Sequence, residues 1–290
     1  MFQEALFSGV ILGGMYALVA MGLTLQYGVA RIMNLSYGEV LIAAAFCAFW
    51  LFSAAGIGPL AALFLIVPAA FAINWLVFRI LLAPLVRRAK TRDALEVDSI
   101  LATFGLLFVV QGVMLVAFGG AYYSYSYLAV PINILGATVA ANRLLALGFA
   151  AAIGILLYLG LTRTRAGTAV RAVAVDPDSA QLVAIDVRAT AAVAFALGGA
   201  LVAVGGVLVS MFLTFNANLG VVFTMKALIV VIMGGVGNML GCLVAGLILG
   251  LTETFVATWI DPGLTLAATY SIFLTVLLVR PHGLFGEGGR

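Results

Sequence analysis

The side chains that could do chemistry in this sequence are few and widely separated. A single histidine, His282, and two cysteines, Cys47 and Cys242, cannot assemble a metal site with the usual ligand spacings. Both cysteines stand in apolar runs, which favours small buried hydrophobic side chains over a disulfide. The sequence has no G-x-x-x-x-G-K-S/T phosphate loop, no H-E-x-x-H motif and no G-x-S-x-G motif. We therefore expect no catalytic residue, no metal and no cofactor bound by this chain.

Polar residues interrupt apolar sequence between residues 27 and 39. Asn34, Ser36 and Glu39 occur there, close to Arg31. Because polar groups inside a bilayer are costly, they tend to face a cavity or one another. These three residues are therefore candidates for a translocation pathway. An inner loop, with Arg31 at the headgroups and Asn34 capping the next helix, explains the pattern at least as well.

A glycine-rich stretch follows at residues 226–250. The stretch contains a predicted turn, and we expect this turn and the polar residue after it to lie beside the same pathway. These residues are Gly234, Gly235, Gly237 and Asn238. Glycine pairs at positions 237/241 and 246/250 create small faces on which another helix can pack closely, which is the more common role of such glycines. Glu253 lies later in the same segment and is placed near the outer interface.

A charged segment at residues 163–188 separates two long apolar runs. Its spacing predicts two short helices, one over residues 167–175 and one that starts at Asp176, with Pro177 at the first helical position. Ala180, Val183 and Ala184 then lie on a small apolar face next to Ile185. Such a water-exposed helix pair could dock a partner, and an ordinary connecting loop is an equal alternative.

The composition indicates an integral membrane protein. Hydrophobic residues make up 65% of the 290 and charged residues 9%, against roughly 45–50% and 25% in soluble domains. The first residues lack a basic n-region, so no cleaved signal peptide is predicted. The net charge of +3 is too small to argue for a nucleic-acid partner.

Nine apolar runs predict an all-α polytopic fold of about eight to ten transmembrane helices. Eight of the runs are long enough to cross a bilayer, whereas residues 221–233 are too short, so we expect a broken or re-entrant helix there. The runs are residues 6–25, 40–55, 60–82, 99–118, 144–161, 189–212, 221–233, 239–256 and 264–279.

The basic residues predict the orientation, because cytoplasmic loops carry an excess of Lys and Arg. With the N-terminus outside and the C-terminus in the cytoplasm, only Arg143 and Lys226 are assigned to the outer side. The inner side then receives Arg31, Arg79, Arg87, Arg88, Lys90, Arg92, Arg163, Arg165, Arg171, Arg188, Arg280 and Arg290. This orientation places the charged segment in the cytoplasm.

A weak internal similarity suggests an inverted repeat. Residues 13–25 and the Asn-Leu pair at 34–35 resemble residues 198–210 and the Asn-Leu pair at 218–219. The two segments run in opposite directions in the predicted topology, which would place a pathway at the repeat interface.

Residues 171–187, RAVAVDPDSAQLVAIDV, resemble the cytoplasmic coupling loop of permeases in the branched-chain amino acid family of ABC importers. The resemblance continues over residues 223–255, 276–286 and 13–39, and so covers most of the chain. The length is similar to the shorter, H-type permease of such systems. Ala184 departs from the family pattern, which usually has glycine there.

The resemblance implies a single transmembrane permease domain over residues 1–290, with its coupling loop at residues 163–188. It implies a bacterial inner-membrane subunit that translocates branched-chain amino acids, or related small amino acids and amides, into the cytoplasm. Implied partners are a second related permease, two cytosolic subunits that bind ATP and Mg, and a periplasmic solute-binding protein. The residues assigned to ATPase coupling are Arg171, Asp176, Pro177, Ala180, Ala184, Ile185 and Asp186.

The alternative function is a cation-coupled secondary carrier or channel for a small solute. Such a carrier usually needs intramembrane carboxylates, and Glu39 and Glu253 are the candidates. An enzyme is not predicted, because no catalytic constellation can be assembled from one histidine and scattered acids.

Overall fold

The computed structural model describes residues 2–89, 91–134 and 137–286. Lys90 and Arg290, which the orientation count includes, lie outside the described residues. The helices are α1 (Phe2–Ala30), α2 (Tyr37–Ala55), α3 (Pro59–Val77), α4 (Ala83–Arg88), α5 (Arg92–Phe118), α6 (Ala141–Arg163), α7 (Arg165–Val175), α8 (Pro177–Leu182), α9 (Val187–Ser210), α10 (Gly220–Gly234), α11 (Met239–Trp259) and α12 (Thr265–Val279). A π-helical turn (Phe78–Leu82) joins α3 to α4, and a short antiparallel hairpin pairs β1 (Pro131–Ile134) with β2 (Ala137–Ala140).

The predicted all-α membrane fold is confirmed. Within the described residues, eight helical spans are long and apolar enough to cross a membrane, and α3 with α4 counts as one continuous span. Each of the nine apolar runs in the sequence corresponds to one helix or span. The short ninth run forms α10, whose 15 residues extend over about 22 Å at the usual rise, less than the roughly 30 Å hydrocarbon core.

Two helices form the centre of the bundle. In α9, 89% of the most apolar stretch is buried, and in α1 the share is 72%, against 11% in α5 and α6 and 6% in α12. The last three helices therefore present their apolar surface outward, to lipid or to another subunit. The central pair, α1 and α9, positions the helices that carry the candidate sites, because α10, α11 and α7 pack against α1, and α2 packs against α9.

The central pair is antiparallel. Gln26 of α1 donates from Nε2 to the Phe195 carbonyl of α9, while Gly22 lies against Gly198 and Val19 against Gly205. Residue numbers rise along one helix as they fall along the other. Because these two helices carry the internal sequence similarity, their packing is the arrangement that an inverted repeat requires.

Glycine allows α1 and α11 to approach at backbone distance. An added Cβ at Gly250 would meet the backbone of Gly13 and the Gly9 carbonyl, and one at Gly246 would meet the backbone of Ala17. The predicted small-residue face at positions 246 and 250 is therefore an interhelical contact surface.

We predict that Gly250→Ala destabilises the protein. The added methyl group meets rigid backbone rather than a flexible side chain, and overpacking of this kind costs about 1–3 kcal/mol. The matched control is Gly148→Ala in α6, where a Cβ meets no atom within 4 Å. Thermal unfolding of both purified variants should show a lower midpoint for Gly250→Ala alone, and equal midpoints would contradict the packing argument.

The chain returns into the bundle after α1. Tyr37, the first residue of α2, donates from its hydroxyl to the Val19 carbonyl at 2.7 Å, so α2 begins beside the middle of α1. The N-terminus of α10 meets it there, because the Gly38 amide donates to Thr224 Oγ1 at 2.8 Å. Two helices therefore begin side by side inside the bundle.

Candidate translocation and coupling sites

The polar residues before α2 bond mainly to one another. Asn34 donates to Gln26 Oε1 at 3.1 Å and accepts, at its own Oδ1, from the Ser36 amide and hydroxyl at 3.1 and 2.7 Å. Asn34 is 3% and Ser36 1% exposed. This network fixes the chain reversal before α2, but Asn34 does not cap that helix, because the N-cap residue is Ser36, whose side chain makes no capping hydrogen bond. It also leaves Glu39 as the unsatisfied member of the predicted group.

Glu39 is a buried carboxylate without a hydrogen-bond partner among the described residues. Its exposed fraction is 0%, and it lies in the first turn of α2, against Gly220 at the start of α10. Partial positive charge at helix N-termini favours an anion at this point. Both carboxylate oxygens therefore remain available to a hydrogen-bond donor, and the structure places them at the junction of two helix starts.

A second polar cluster was not predicted from the sequence. Lys226 Nζ lies 2.6 Å from Glu253 Oε1 and 2.8 Å from the Tyr16 hydroxyl, and Tyr16 donates to Glu253 Oε2 at 2.8 Å. The Lys226 and Glu253 side chains are 11% and 13% exposed. Lys226, which the predicted orientation assigns to the outer side, is thus buried inside the bundle on α10. One lone charge of each sign in neighbouring apolar segments was the available signal.

The predicted glycine turn is present, but at a different level of the bundle from Glu39. Gly235 and Gly237 have φ angles of +100° and +86°, a conformation that favours glycine. The C-terminal segment braces this turn, because the Leu284 amide donates to the Met233 carbonyl and the Phe285 amide to the Gly234 carbonyl. Asn238 caps α11, with Oδ1 accepting from the Gly241 amide at 2.9 Å.

The turn lies at the end of α1 rather than at its middle. Gly237 approaches Gly28, whereas Glu39 belongs to the start of α2 beside Val19. The structure thus separates the predicted pathway residues into an interior group and an end group. Gly237 and Asn238 of the end group line a cavity of about 740 Å³ together with residues of α7.

The charged segment folds as two short helices. Asp176 caps α8 by accepting from the Asp178 amide at 3.0 Å, and Pro177 is the first helical residue, as predicted. Thr164 caps α7 through the Gly167 amide. Asp186 has a local role that the sequence analysis did not identify, because its Oδ1 accepts from the Arg188 and Ala189 amides and caps α9.

Ala180 faces the bundle, not the water. It is 3% exposed and packs with Val173 of α7, with Leu25 and Val29 of α1, and with Ala194 of α9. The assignment of Ala180 to an outward docking face is therefore corrected, because its side of α8 is occupied by the central helices.

Val183 and Ala184 of the predicted face are exposed, and two further apolar residues of the segment, Val175 and Leu182, are exposed as well. Val175 is 81%, Leu182 88% and Val183 69% exposed. We call these three residues the apolar tip. Large apolar side chains exposed in a charged, water-facing segment are candidates for an interaction site.

The backbone conformation at Ala184 explains why the family usually has glycine at this position. Its φ is +62°, in the left-handed region that costs a residue with a Cβ roughly 1–2 kcal/mol and costs glycine nothing. The reversal between α8 and α9 requires this conformation, since the Ile185 amide donates back to the Ala180 carbonyl at 3.2 Å. The turn is the same one that a glycine would make.

Comparisons with known proteins agree across the whole chain. Residues 5–280 match the family described as branched-chain amino acid transport system, permease component. The high-affinity branched-chain amino acid transport system permease protein LivH of Salmonella typhimurium is 27% identical over 303 residues, covering 99% of this chain and 96% of that protein. The corresponding protein BraD of Pseudomonas aeruginosa is 27% identical over 298 residues, with the same coverage of both chains.

A solved structure shares the fold. A chain in the structure of PsaBC from Streptococcus pneumoniae in complex with Fab aligns with a TM-score of 0.54 at 14% identity, covering 98% of this chain and 93% of that one.

Proposed function

Because the chain belongs to the family of branched-chain amino acid transport system permease components, we propose that it is the transmembrane permease subunit of an ATP-binding-cassette importer. Its cargo would be branched-chain amino acids or related small amino acids and amides. The relatives named for this activity match over 99% of this chain and 96% of their own length. The chain itself is not an enzyme in this proposal.

The observation that carries the proposal is the apolar tip of Val175, Leu182 and Val183. The sequence contains no phosphate loop, so energy from ATP would have to come from a partner. A cytosolic ATPase that covers the tip would remove these side chains from water, at roughly 25 cal/mol per Å² of apolar surface. One of the two ATP-binding subunits, which carry ATP and Mg, would dock there.

The packing behind the tip offers a route for coupling. Ala180 and Val173 belong to one buried cluster with Leu25 and Val29 of α1 and Ala194 of α9. These are the two central helices. Movement of α7 and α8 with the ATPases would therefore move the centre of the bundle, as alternating access by rigid-body motion requires. The helix that carries Glu39, α2, packs against α9, and α10 packs against α1.

Two further partners would complete the importer. A periplasmic binding protein would select the solute, and a second related permease would cover part of the outward apolar surface. Surfaces of this kind are present on α5, α6 and α12. We place the subunit in a bacterial inner membrane, with its N-terminus outside and its C-terminus in the cytoplasm, as the basic residues indicate.

Co-purification from the native host tests this assignment. The tagged chain, solubilised in mild detergent, should retain two ATP-binding subunits and a second permease in fixed stoichiometry. Recovery of the chain alone, in a form that still transports, would exclude the importer. Thermal-shift screening of the cognate binding protein with leucine, isoleucine, valine, urea and short amides would then identify the solute.

If Glu39 and its neighbours line the translocation pathway, their accessibility should change during the transport cycle. In a chain lacking Cys47 and Cys242, a cysteine at Asn34, Ser36 or Glu39 should react with a small membrane-permeant thiol reagent at a rate that depends on nucleotide. Each site is buried here, so reaction requires the bundle to open. The control is Ala45→Cys, at a core position of α2 that is 1% exposed. Inertness of all the pathway cysteines in every nucleotide state would remove these residues from the pathway.

A further inference from the structure

A cavity of about 740 Å³ lies where α1, α5 and α7 meet the glycine turn. It is lined at the end of α1 by Tyr27 and Arg31, on α5 by Glu96 and on α7 by Arg171. The predicted orientation assigns Arg31 and Arg171 to the cytoplasmic side. The cavity therefore opens on the side where a transported solute is released.

The charged groups of the cavity are of both signs. Arg31 and Arg171 supply two guanidinium groups, and Glu96 supplies a carboxylate that accepts from the Tyr27 hydroxyl at 3.1 Å. The walls include Leu25, Val29, Leu161 and Val170. A lining with separate positive and negative groups and apolar walls matches one class of small molecule, a zwitterion with an aliphatic side chain.

Arg31 retains hydrogen-bonding capacity. Its Nη2 donates to the Ala174 carbonyl at 3.2 Å, but its buried Nε has no partner among the described residues. The Arg31 backbone has a φ of +52°, and an arginine in this conformation is held there by its surroundings. A guanidinium that offers parallel N–H donors is the preferred partner of a carboxylate.

We propose that this cavity is a cytoplasmic binding site for a free aliphatic α-amino acid. The carboxylate of the ligand is held by Arg31 and Arg171, its ammonium group by Glu96, and its side chain by the apolar walls. The inference rests on the proposed function for the choice of ligand. It goes beyond that function because the site is distinct from Glu39 and contacts α7, whose partner supplies the energy. Occupancy would favour the arrangement of α7 and α1 described here.

Titration of L-leucine and two analogues that each lack one charge tests the proposal. The sample is the complete permease and ATPase complex in nanodiscs, without binding protein, studied by isothermal titration calorimetry. We expect 4-methylpentanoate, which lacks the ammonium group, and 3-methylbutylamine, which lacks the carboxylate, each to bind at least about tenfold more weakly than leucine, since a charge-assisted hydrogen bond contributes more than the 1.4 kcal/mol that a tenfold change represents.

Two variants assign the charges. Glu96→Gln should lower the affinity for leucine about tenfold or more and leave the affinity for 4-methylpentanoate unchanged. Arg31→Gln should lower the affinity for both of these ligands and leave the affinity for 3-methylbutylamine unchanged. The matched controls are Asp98→Asn on the exposed side of α5 and Arg165→Gln at the exposed start of α7, which should alter none of the three. If Arg31→Gln fails to fold, Glu96→Gln alone still decides the ammonium contact.

The proposal is overturned if leucine does not bind, if neither variant changes its affinity, or if 4-methylpentanoate binds as tightly as leucine. The last result would indicate a general anion site, such as one for a lipid headgroup. ATP-driven uptake by the same complex with its binding protein is measured in parallel. Uptake without leucine binding to the cavity would overturn this inference and leave the importer intact, whereas leucine binding without ATP-driven uptake would overturn the importer.

Discussion

Leu182→Asp is expected to abolish ATP-driven uptake while the protein still inserts and folds. Leu182 is 88% exposed on α8, so its replacement removes no packing within the chain. A buried aspartate in an apolar contact with the ATPase, in contrast, would be unpaired and costs several kcal/mol, which corresponds to a loss of association of more than a hundredfold.

The measurement is uptake together with recovery of the ATPase on purification. The matched control is Ala166→Asp, which introduces the same charge at an exposed position in the first turn of α7, outside the apolar tip. Ala180→Arg should differ from both, because it disrupts the contact of α8 with α1 and α9 and so lowers thermal stability as well as uptake. Normal uptake by Leu182→Asp would show that the tip is not the docking surface.

Breaking the Lys226–Glu253 pair is expected to have the largest effect on stability. The two side chains are 11% and 13% exposed and share bonds with Tyr16. Removing one member leaves the other charge buried without its counter-ion, at a cost of about 3–5 kcal/mol. Lys226→Met and Glu253→Met should therefore each lower the unfolding midpoint strongly.

The double variant provides the internal control. Replacing both residues by Met removes the uncompensated charge, and such replacements are often neutral, so the double variant should be more stable than either single one. Arg143→Met, in α6 and outside the cluster, should change the midpoint little. Additive losses in the double variant would contradict an energetic coupling between Lys226 and Glu253.

The elements of the fold could be predicted because their causes are local. Apolar runs of known length predict the spans, and the sequence Asp176-Pro177-Asp178 predicts the start of α8, since carboxylate, fixed φ and helix dipole all act within one turn. The short run at residues 221–233 predicted a helix too short for an ordinary span. The family pattern also marked position 184, where the observed positive φ explains the usual glycine.

The candidate sites depended on contacts between distant segments, which the sequence does not contain. Ala180 and Leu182 are two residues apart and therefore about 200° apart around a helix, so one faces the bundle when the other faces water. The sequence of the segment does not determine which of the two residues faces the bundle. Lys226 and Glu253 are 27 positions apart, and the grouping of Arg31, Glu96 and Arg171 requires three helices to be packed.

The two functional hypotheses differ in the source of energy. A cation-coupled carrier needs a carboxylate that can exchange its ion, and of the two candidates Glu253 already pairs with Lys226, whereas Glu39 has no hydrogen-bond partner among the described residues. An importer needs no such group, because the work is done at the apolar tip. The two hypotheses therefore predict different requirements for transport.

Reconstituted uptake tests this difference most directly. Proteoliposomes containing this chain, its partner permease and the ATP-binding subunits are supplied with the binding protein and radiolabelled leucine, with or without ATP on the cytoplasmic side. We expect leucine to accumulate only when ATP and all the partners are present, and not to accumulate when Leu182→Asp replaces the native chain. Accumulation by this chain alone, driven by an ion gradient without ATP and lost in Glu39→Gln, would contradict this expectation.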